Sequence, residues 1–128
     1  MTLLEAAAAA RARARARFSG FQVGAALEGA SGAVYPGCNI ENATYQLTVC
    51  AERLAVYKAL SEGETRFLRI AVVADTETLT PPCGSCRQIL WEYCGDIEVM
   101  LANLAGKTET LRLADLLPRP FDASFLED

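Results

Sequence analysis

The chain has 128 residues, of which 52% are hydrophobic, a length and composition typical of one domain with its own core. Its net charge of -4 argues against a nucleic-acid partner, and no apolar stretch reaches the ~20 residues that span a bilayer. We therefore expect neither nucleic acid nor membrane among its partners. Five cysteines, an odd number, fit a reducing cytoplasm better than a disulfide framework, and the chain contains no histidine.

The first half of the chain alternates helical and strand-like segments. Residues 2–17 are rich in Ala and Arg and predict a helix whose arginines face solvent. The runs 21–29 and 33–41 predict two strands of a hairpin around a short turn. A second helix is predicted from Thr48 to Glu62, where a glycine follows.

The second half repeats the alternation with more strongly apolar strands. Residues 68–75 and 97–103 are short apolar runs, which is typical of buried central strands. Between them a helix is predicted from Cys83 to Tyr93. A further strand at 108–113 leads into a short helix, Leu113 to Leu117. This order predicts an α/β sandwich around a mixed sheet of about five strands.

Three of the five cysteines and one glutamate stand at the starts of the two internal helices. Cys50 and Glu52 begin the first of these helices, and Cys83 and Cys86 begin the second. Unpaired N–H groups and the helix dipole at such positions favour the thiolate, which is the form that binds metal. Three protein ligands are typical of a catalytic zinc, whose fourth position holds water, whereas a structural zinc usually has four. The pattern predicts a catalytic zinc, with Glu52 placed to contact the water.

A simpler alternative remains for the CxxC pair taken alone. In a cytosolic protein a single CxxC can be a redox dithiol or half of a structural zinc site. That alternative does not explain the CAE segment upstream, and it predicts that Glu52 is dispensable. Cys38 and Cys94 lack the paired spacing of a fourth ligand, and we interpret them as small buried apolar residues.

The CAE and PCGSC segments match the cysteine form of the zinc-deaminase signature, and residues 18–121 resemble the small homotetrameric cytidine deaminases. The segments that carry the resemblance are FSGFQVGAAL, GCNIENATY, TVCAERLAVYKALSEG, PPCGSCRQIL and LLPRPF. The resemblance implies a single such domain over residues 1–128, a three-layer sandwich with a mixed five-stranded sheet between helices. It also implies a cytoplasmic enzyme of pyrimidine salvage, with one zinc ion per subunit, that hydrolyses cytidine and deoxycytidine to uridine and deoxyuridine plus ammonia.

The resemblance further implies a role for each residue of the chemical set. Cys50, Cys83 and Cys86 would hold the zinc, which would activate a water molecule for attack on C4 of the pyrimidine. Glu52 would move protons among that water, ring N3 and the departing amino group. Arg53 would hydrogen-bond the zinc thiolates and offset their negative charge.

Substrate recognition, by the same resemblance, falls on other segments. Asn39 and Glu41 would bind the ribose hydroxyls, Phe21 would pack against the pyrimidine, and Ala51 would complete the substrate-binding set. The presence of Asn39 and Glu41 favours a free nucleoside over another amino-pyrimidine compound, such as a blasticidin-type antibiotic.

Two aromatic positions are implied to act between subunits of a homotetramer. Phe121 would reach a neighbouring subunit's site, with Phe125 as its rival, and Tyr45 would lie at a subunit interface. The chain also departs from the family pattern: Gln22 stands where the family often has proline, and Phe18 where it often has tyrosine. Phe18 therefore lacks a hydroxyl that could join a hydrogen-bond network.

Overall fold

The computed structural model describes residues 1–127, in which one sheet is packed between helices. The strands are β1 (Val23–Gly29), β2 (Val34–Cys38), β3 (Phe67–Ala74), β4 (Glu98–Ala102) and β5 (Thr108–Arg112). The helices are α1 (Leu3–Arg11), α2 (Ala51–Ser61), α3 (Gly84–Cys94) and α4 (Leu113–Leu116). Two 3₁₀ turns, Tyr45–Leu47 and Ala123–Leu126, complete the described elements. No helix among residues 1–127 is both long and apolar enough to cross a membrane.

The sheet is mixed and has the order β2-β1-β3-β4-β5. Strand β1 runs antiparallel to both β2 and β3, β3 runs parallel to β4, and β4 pairs antiparallel with β5. Every residue of β3 from Ile70 to Ala74 is buried, because helices cover both faces of this central strand. The continuous apolar run from Ile70 to Ala74 is the pattern expected for that position.

Two apolar cores, one on each face of the sheet, define the three layers. On one face α1 packs its Ala7 against Ala26 and Ala71 of the sheet. On the other face α2 and α3 contribute Val56 and Leu90 to a larger core. The predicted fold class, a three-layer sandwich with a mixed five-stranded sheet between helices, is confirmed.

The start of α2 lies unusually close to β2, and a glycine makes that approach possible. A Cβ atom added to Gly37 would lie 2.8 Å from the backbone nitrogen of Ala55 and would overlap the carbonyl of Ala51. Only the absence of a side chain at Gly37 lets the backbone of α2 pack there. This packing brings the first turn of α2 beside the end of β2.

The first helix is shorter than the sequence predicts, ending at Arg11 rather than at residue 17. Beyond it, Arg15 pairs with the end of the hairpin: its N–H donates to the Asn39 carbonyl at 2.9 Å, and its carbonyl accepts from the Glu41 N–H at 2.9 Å. These long-range bonds replace helical ones, so tertiary pairing overrides the helix propensity of an Ala/Arg sequence. The side chains of Arg15 and Arg17 are exposed, as predicted.

Other boundaries also move by a few residues. Strand β2 ends at Cys38 rather than at residue 41, and α2 begins after Cys50 rather than at Thr48. The reason is a separate pairing of Val49 with Ile40, through backbone hydrogen bonds of 2.9 and 3.0 Å. Cys38 and Cys94, which we predicted to be buried, are both half-buried.

Candidate functional site

The structure brings together the three cysteines that stand at the helix starts. Cys50 is the N-cap residue of α2, Cys83 is the N-cap residue of α3, and Cys86 lies in the first turn of α3. Helices α2 and α3 pack against each other, and the three Sγ atoms all lie within 4.8 Å of one another. Neither N-cap thiol is used to cap its own helix, so both remain free to face a shared point.

This cluster fits a zinc ion. A tetrahedral zinc with Zn–S bonds of about 2.3 Å places its sulfur atoms about 3.8 Å apart, within reach of the separations seen. The pKa of Cys50 is lowered to about 6, because the Cys86 thiol donates a hydrogen bond to it and because the positive Arg53 lies near. The same hydrogen bond raises the pKa of Cys86, so in this cluster the negative charge is placed on Cys50. Soft sulfur ligands are the chemistry that suits zinc.

Arg53 lies near this cluster, in the first turn of α2, and one nitrogen of its guanidinium has no hydrogen-bond partner. Its terminal nitrogen donates to the Thr48 carbonyl at 2.7 Å, which fixes the guanidinium. Among the buried side-chain polar atoms of residues 1–127, the Nε of Arg53 is the one without a hydrogen-bond partner. A buried, unpaired donor beside anionic sulfur atoms fits a role in offsetting their charge.

Glu52 is the buried acid of the site. Its position one residue into α2 leaves it 5% exposed, and burial, reinforced by the charge of Cys50, raises its pKa to about 7. A carboxyl group in such surroundings can take up and release a proton near neutral pH, as general acid–base catalysis requires.

A cavity of about 180 Å³ opens beside the cysteine cluster. We call it the inner cavity. Its wall is formed by Phe21, Val23, Asn39, Thr48, Cys50, Ala51, Glu52, Thr80, Pro81 and Cys83. Three residues that the sequence assigned to substrate binding, Phe21, Asn39 and Ala51, thus share one space with Glu52. An apolar pocket with a few convergent polar groups is the usual form of a small-molecule site.

Asn39 is buried and held from both ends of its amide. The side-chain nitrogen donates to the Phe21 carbonyl at 2.7 Å, and the side-chain oxygen accepts from the Val23 N–H at 2.8 Å. A side-chain amide carries two N–H donors, so one remains for a ligand in the inner cavity. The same bonds fix the segment that carries Phe21.

A second, wider cavity of about 410 Å³ adjoins the first. This outer cavity is lined by Phe18, Ser19, Glu41, Tyr45 and Thr48, and Thr48 belongs to both walls. Glu41 therefore lies in the outer cavity, while Asn39 lies in the inner one. The rings of Phe18 and Tyr45 meet edge-to-face with centroids 5.9 Å apart, and Tyr45 is 73% exposed.

The C-terminal aromatic residues are not part of either cavity wall within one chain. Phe121 is 58% exposed and stacks on Phe125, with ring centroids 5.5 Å apart. The Phe121 carbonyl accepts a hydrogen bond of 2.6 Å from the Gln88 side chain on α3. The helix that supplies two of the clustered cysteines thus also anchors this exposed pair.

Sequence reasoning missed Ser19, Thr48 and Thr80 as residues of the cavity walls. Each lies outside a regular element, so no periodicity points to its side chain. The Ser-Gly step at Ser19 and Gly20 is a turn signal that could have drawn attention to the first. For Thr48 and Thr80 no local signal exists, because their place depends on segments distant in sequence.

Comparison with known proteins identifies relatives over almost the whole chain. The family model of the cytidine and deoxycytidylate deaminase zinc-binding region matches residues 1–102. A cytidine deaminase of Halalkalibacterium halodurans is 51% identical over 112 residues, covering 87% of this chain and 85% of the relative. A probable cytidine deaminase of Dictyostelium discoideum is 40% identical over 119 residues, covering 92% of this chain and 80% of the relative.

Solved structures of cytidine deaminases also resemble this fold over almost the whole chain. The crystal structure of cytidine deaminase from Burkholderia pseudomallei superposes with a TM-score of 0.90 at 47% identity, covering 94% of this chain and all of that one (100%). That of cytidine deaminase from Mycobacterium tuberculosis gives a TM-score of 0.80 at 39% identity, covering 93% of this chain and 94% of that one.

Proposed function

The chain belongs to the cytidine and deoxycytidylate deaminase family, and from that premise we propose that it hydrolyses cytidine and deoxycytidine to uridine and deoxyuridine with release of ammonia. This reaction belongs to pyrimidine salvage. The observation that carries the proposal is the buried Glu52 beside three clustered cysteines, at the wall of a cavity large enough for a small ligand. A redox dithiol formed by Cys83 and Cys86 would not account for Glu52 or for the third cysteine, Cys50.

Cys50, Cys83 and Cys86 would hold one zinc ion per subunit. When bound, zinc acts as a Lewis acid that makes a water molecule a nucleophile near neutral pH. Glu52 would take one proton of the water and pass it to ring N3, and would then take the second proton of the same water and pass it to the departing amino group. Glu52 lies buried at the wall of the cavity beside Cys50 and Cys83, so one carboxyl group is within reach of both the water and the pyrimidine.

Arg53 reduces the charge of the thiolate set. Three thiolates around a divalent cation leave a net charge of about -1, which opposes the acidification of water. The guanidinium, fixed by Thr48 and with its Nε unpaired, supplies the balancing positive charge. The N-termini of α2 and α3 add partial positive charge from the helix dipoles.

The base and the sugar are held by different walls. In the inner cavity Phe21 packs against the pyrimidine, and Ala51 contacts it from the first turn of α2. Asn39 offers its remaining N–H, and Glu41 offers its carboxylate from the adjoining outer cavity, to the sugar hydroxyls. The continuity of the two cavities through Thr48 supports one ligand spanning both.

The charges of the walls favour a free nucleoside over a nucleotide. The described residues that line the two cavities include two carboxylates, Glu41 and Glu52, and no lysine or arginine. A 5′-phosphate is normally bound by cationic side chains or backbone N–H clusters, and it would be repelled by these carboxylates. Cytidine and deoxycytidine are therefore better substrates than deoxycytidylate.

We propose that the protein works as a homo-oligomer and that this oligomer is a tetramer. Large apolar side chains stay exposed near the site: Tyr45 and Leu47 beside the outer cavity, and Phe121 and Phe125 at the C-terminal end. Exposed aromatic residues of this size are characteristic of interfaces. Tyr45 lies at such an interface, and Phe121 reaches the site of a neighbouring subunit.

Residues 1–128 form a single domain of this class, located in the cytoplasm. The described strands all belong to one sheet, and both cores are built on its two faces. All five cysteines are free thiols in the structure, which suits a reducing compartment.

The direct test is to incubate the purified, zinc-loaded protein with cytidine, deoxycytidine and deoxycytidylate, and to follow the loss of cytosine absorbance and the release of ammonia. We expect conversion of both nucleosides, little conversion of the nucleotide, and loss of activity after chelation. Stoichiometric zinc without turnover of either nucleoside would contradict the proposal and favour a non-catalytic zinc protein.

A further inference from the structure

One serine hydroxyl connects the two walls of the substrate site. The hydroxyl of Ser19 donates to Oε2 of Glu41 and accepts a hydrogen bond of 3.0 Å from the Phe21 N–H. Two backbone groups complete the arrangement, because the N–H groups of Phe18 and Ser19 donate to Oε1 of Glu41 at 2.8 and 3.0 Å. The Glu41 carboxylate therefore accepts three hydrogen bonds from one loop.

These three hydrogen bonds leave Glu41 with one free acceptor position. A carboxylate offers about four lone-pair sites, two on each oxygen. Oε1 already accepts two N–H groups and Oε2 accepts the Ser19 hydroxyl, which leaves one site on Oε2. The Ser19 bonds also hold the pKa of Glu41 below its usual value, so the group stays an ionised acceptor.

The other side of the Ser19 hydroxyl fixes the loop that carries Phe21. Between them Gly20 adopts a positive φ of 71°, which turns the chain so that the Phe21 N–H faces the hydroxyl. The Phe21 carbonyl in turn accepts from Asn39. One chain of hydrogen bonds thus runs from Glu41 through Ser19 and Phe21 to Asn39, linking the outer cavity to the inner one.

We propose that Ser19 is a positioning residue for sugar recognition: its hydroxyl aims the free site on Glu41 Oε2 at a single sugar hydroxyl of the bound nucleoside. The proposal rests on the proposed function, in which Glu41 binds the sugar. Deoxycytidine has no 2′-hydroxyl, so the partner must be one of the two hydroxyls that both substrates carry, at C3′ and C5′; we assign it to the 3′-hydroxyl, which is attached directly to the sugar ring. Loss of the Ser19 hydroxyl leaves Oε2 free to rotate, because only Oε1 then remains bonded to the loop.

The test compares a substrate that has the 3′-hydroxyl with one that lacks it. The kcat and KM of the zinc-loaded enzyme are measured with deoxycytidine and with 2′,3′-dideoxycytidine for the wild type, Ser19→Ala, Ser19→Thr and Glu41→Gln. Calorimetric dissociation constants for deoxyuridine and 2′,3′-dideoxyuridine give the same comparison without turnover. Melting curves verify the fold, which an exposed serine is not expected to control.

The chain offers a matched control in Ser31. Its hydroxyl also donates to a glutamate, Glu64, and also accepts a backbone N–H, from Ala33, but this group lies outside both cavities. Ser31→Ala therefore removes a similar hydrogen bond from a similar exposed turn. We expect it to leave the ratio of kcat/KM for the two substrates unchanged.

For Ser19→Ala we expect kcat/KM for deoxycytidine to fall about 10-fold more than that for dideoxycytidine, mainly through KM, as a charge-assisted hydrogen bond is lost. Ser19→Thr, which keeps the hydroxyl, should restore most of the difference. Glu41→Gln should discriminate between the two substrates in the same direction and at least as strongly.

Two different failures remain distinguishable. One outcome is that Glu41→Gln lowers kcat/KM more for deoxycytidine than for dideoxycytidine, whereas Ser19→Ala lowers kcat/KM equally for both. The serine then has only a structural role, and the inference is wrong. If Glu41→Gln lowers kcat/KM for both substrates equally, Glu41 does not bind the 3′-hydroxyl, and the inference is wrong together with that assignment of Glu41. The dissociation constants decide between these outcomes even where a variant is too slow to assay.

Discussion

The inner and outer cavities are neighbours that share Thr48, but they differ in size and in the origin of their polar groups. The inner cavity encloses about 180 Å³, and its reactive groups, such as Cys50 and Glu52, come from helix starts pressed against the sheet. The outer cavity encloses about 410 Å³ and is lined by loop residues, among them the highly exposed Tyr45.

The difference reflects what each wall has to do. Proton transfer needs groups whose positions and pKa values are fixed by burial, and rigid helix starts supply both. The proposed sugar recognition at Glu41 needs only hydrogen bonds, and a site for it must stay open for substrate entry. Variants of the two regions should therefore fail differently: the inner ones in zinc content or kcat, the outer ones in KM.

The largest effect should follow Cys86→Ser, which removes a buried thiol of the cluster. We expect zinc to fall well below one ion per subunit and deamination to drop to background, with a lower melting temperature because bound metal stabilises the folded state. Metal analysis and calorimetry measure both. Cys94→Ser, on the same helix but outside the cluster, is the matched control and should retain its zinc.

Glu52→Gln should separate chemistry from metal binding. The amide keeps the size of the side chain but cannot accept and release the proton, so we expect kcat to fall about 100- to 10,000-fold. Zinc content should stay at one ion per subunit. Glu62→Gln, at the exposed end of the same helix, should keep full activity. Unchanged turnover in Glu52→Gln would break the assignment of the inner cavity to proton transfer.

Arg53→Gln should give an intermediate effect that is visible without any substrate. Loss of the charge beside the thiolates should weaken zinc binding about 10- to 100-fold, measured as faster transfer of zinc to a chelator. Arg53→Lys should recover part of the loss, because it restores the charge but not the hydrogen-bonding plane. Equal zinc release from the wild type and Arg53→Gln would show that the unpaired Nε has another purpose.

The smallest effects should come from the C-terminal aromatic pair, and they test whether the outer region is completed by another subunit. We expect Phe121→Ala to raise KM about 10-fold, as loss of one aromatic contact at an interface does. Phe125→Ala should raise it less, since the segment is anchored through the Phe121 carbonyl on Gln88. Light scattering and steady-state kinetics measure the two variants, and a reversed order would assign the contact to Phe125.

Much of the inner region could be predicted from the sequence, and less of the outer one. The cysteines at the helix starts follow from local signals, and the structure places them within 4.8 Å of one another. The length of α1 was predicted wrongly, because the pairing of Arg15 with Asn39 and Glu41 is long-range. The hydrogen bond from Ser19 to Glu41 escaped prediction for the same reason.

The sequence by itself determined the candidate chemistry of this protein: the three cysteines at helix starts, the acid two residues after Cys50, and the α/β order of elements. These properties are local, since a helix start favours a thiolate whatever surrounds it. The tertiary structure decided how the proposed substrate site is built. The packing of α2 over Gly37, the unpaired Nε of Arg53 and the loop that grips Glu41 all depend on segments distant in sequence. Such contacts form only when the sheet brings those segments together, so no local pattern records them.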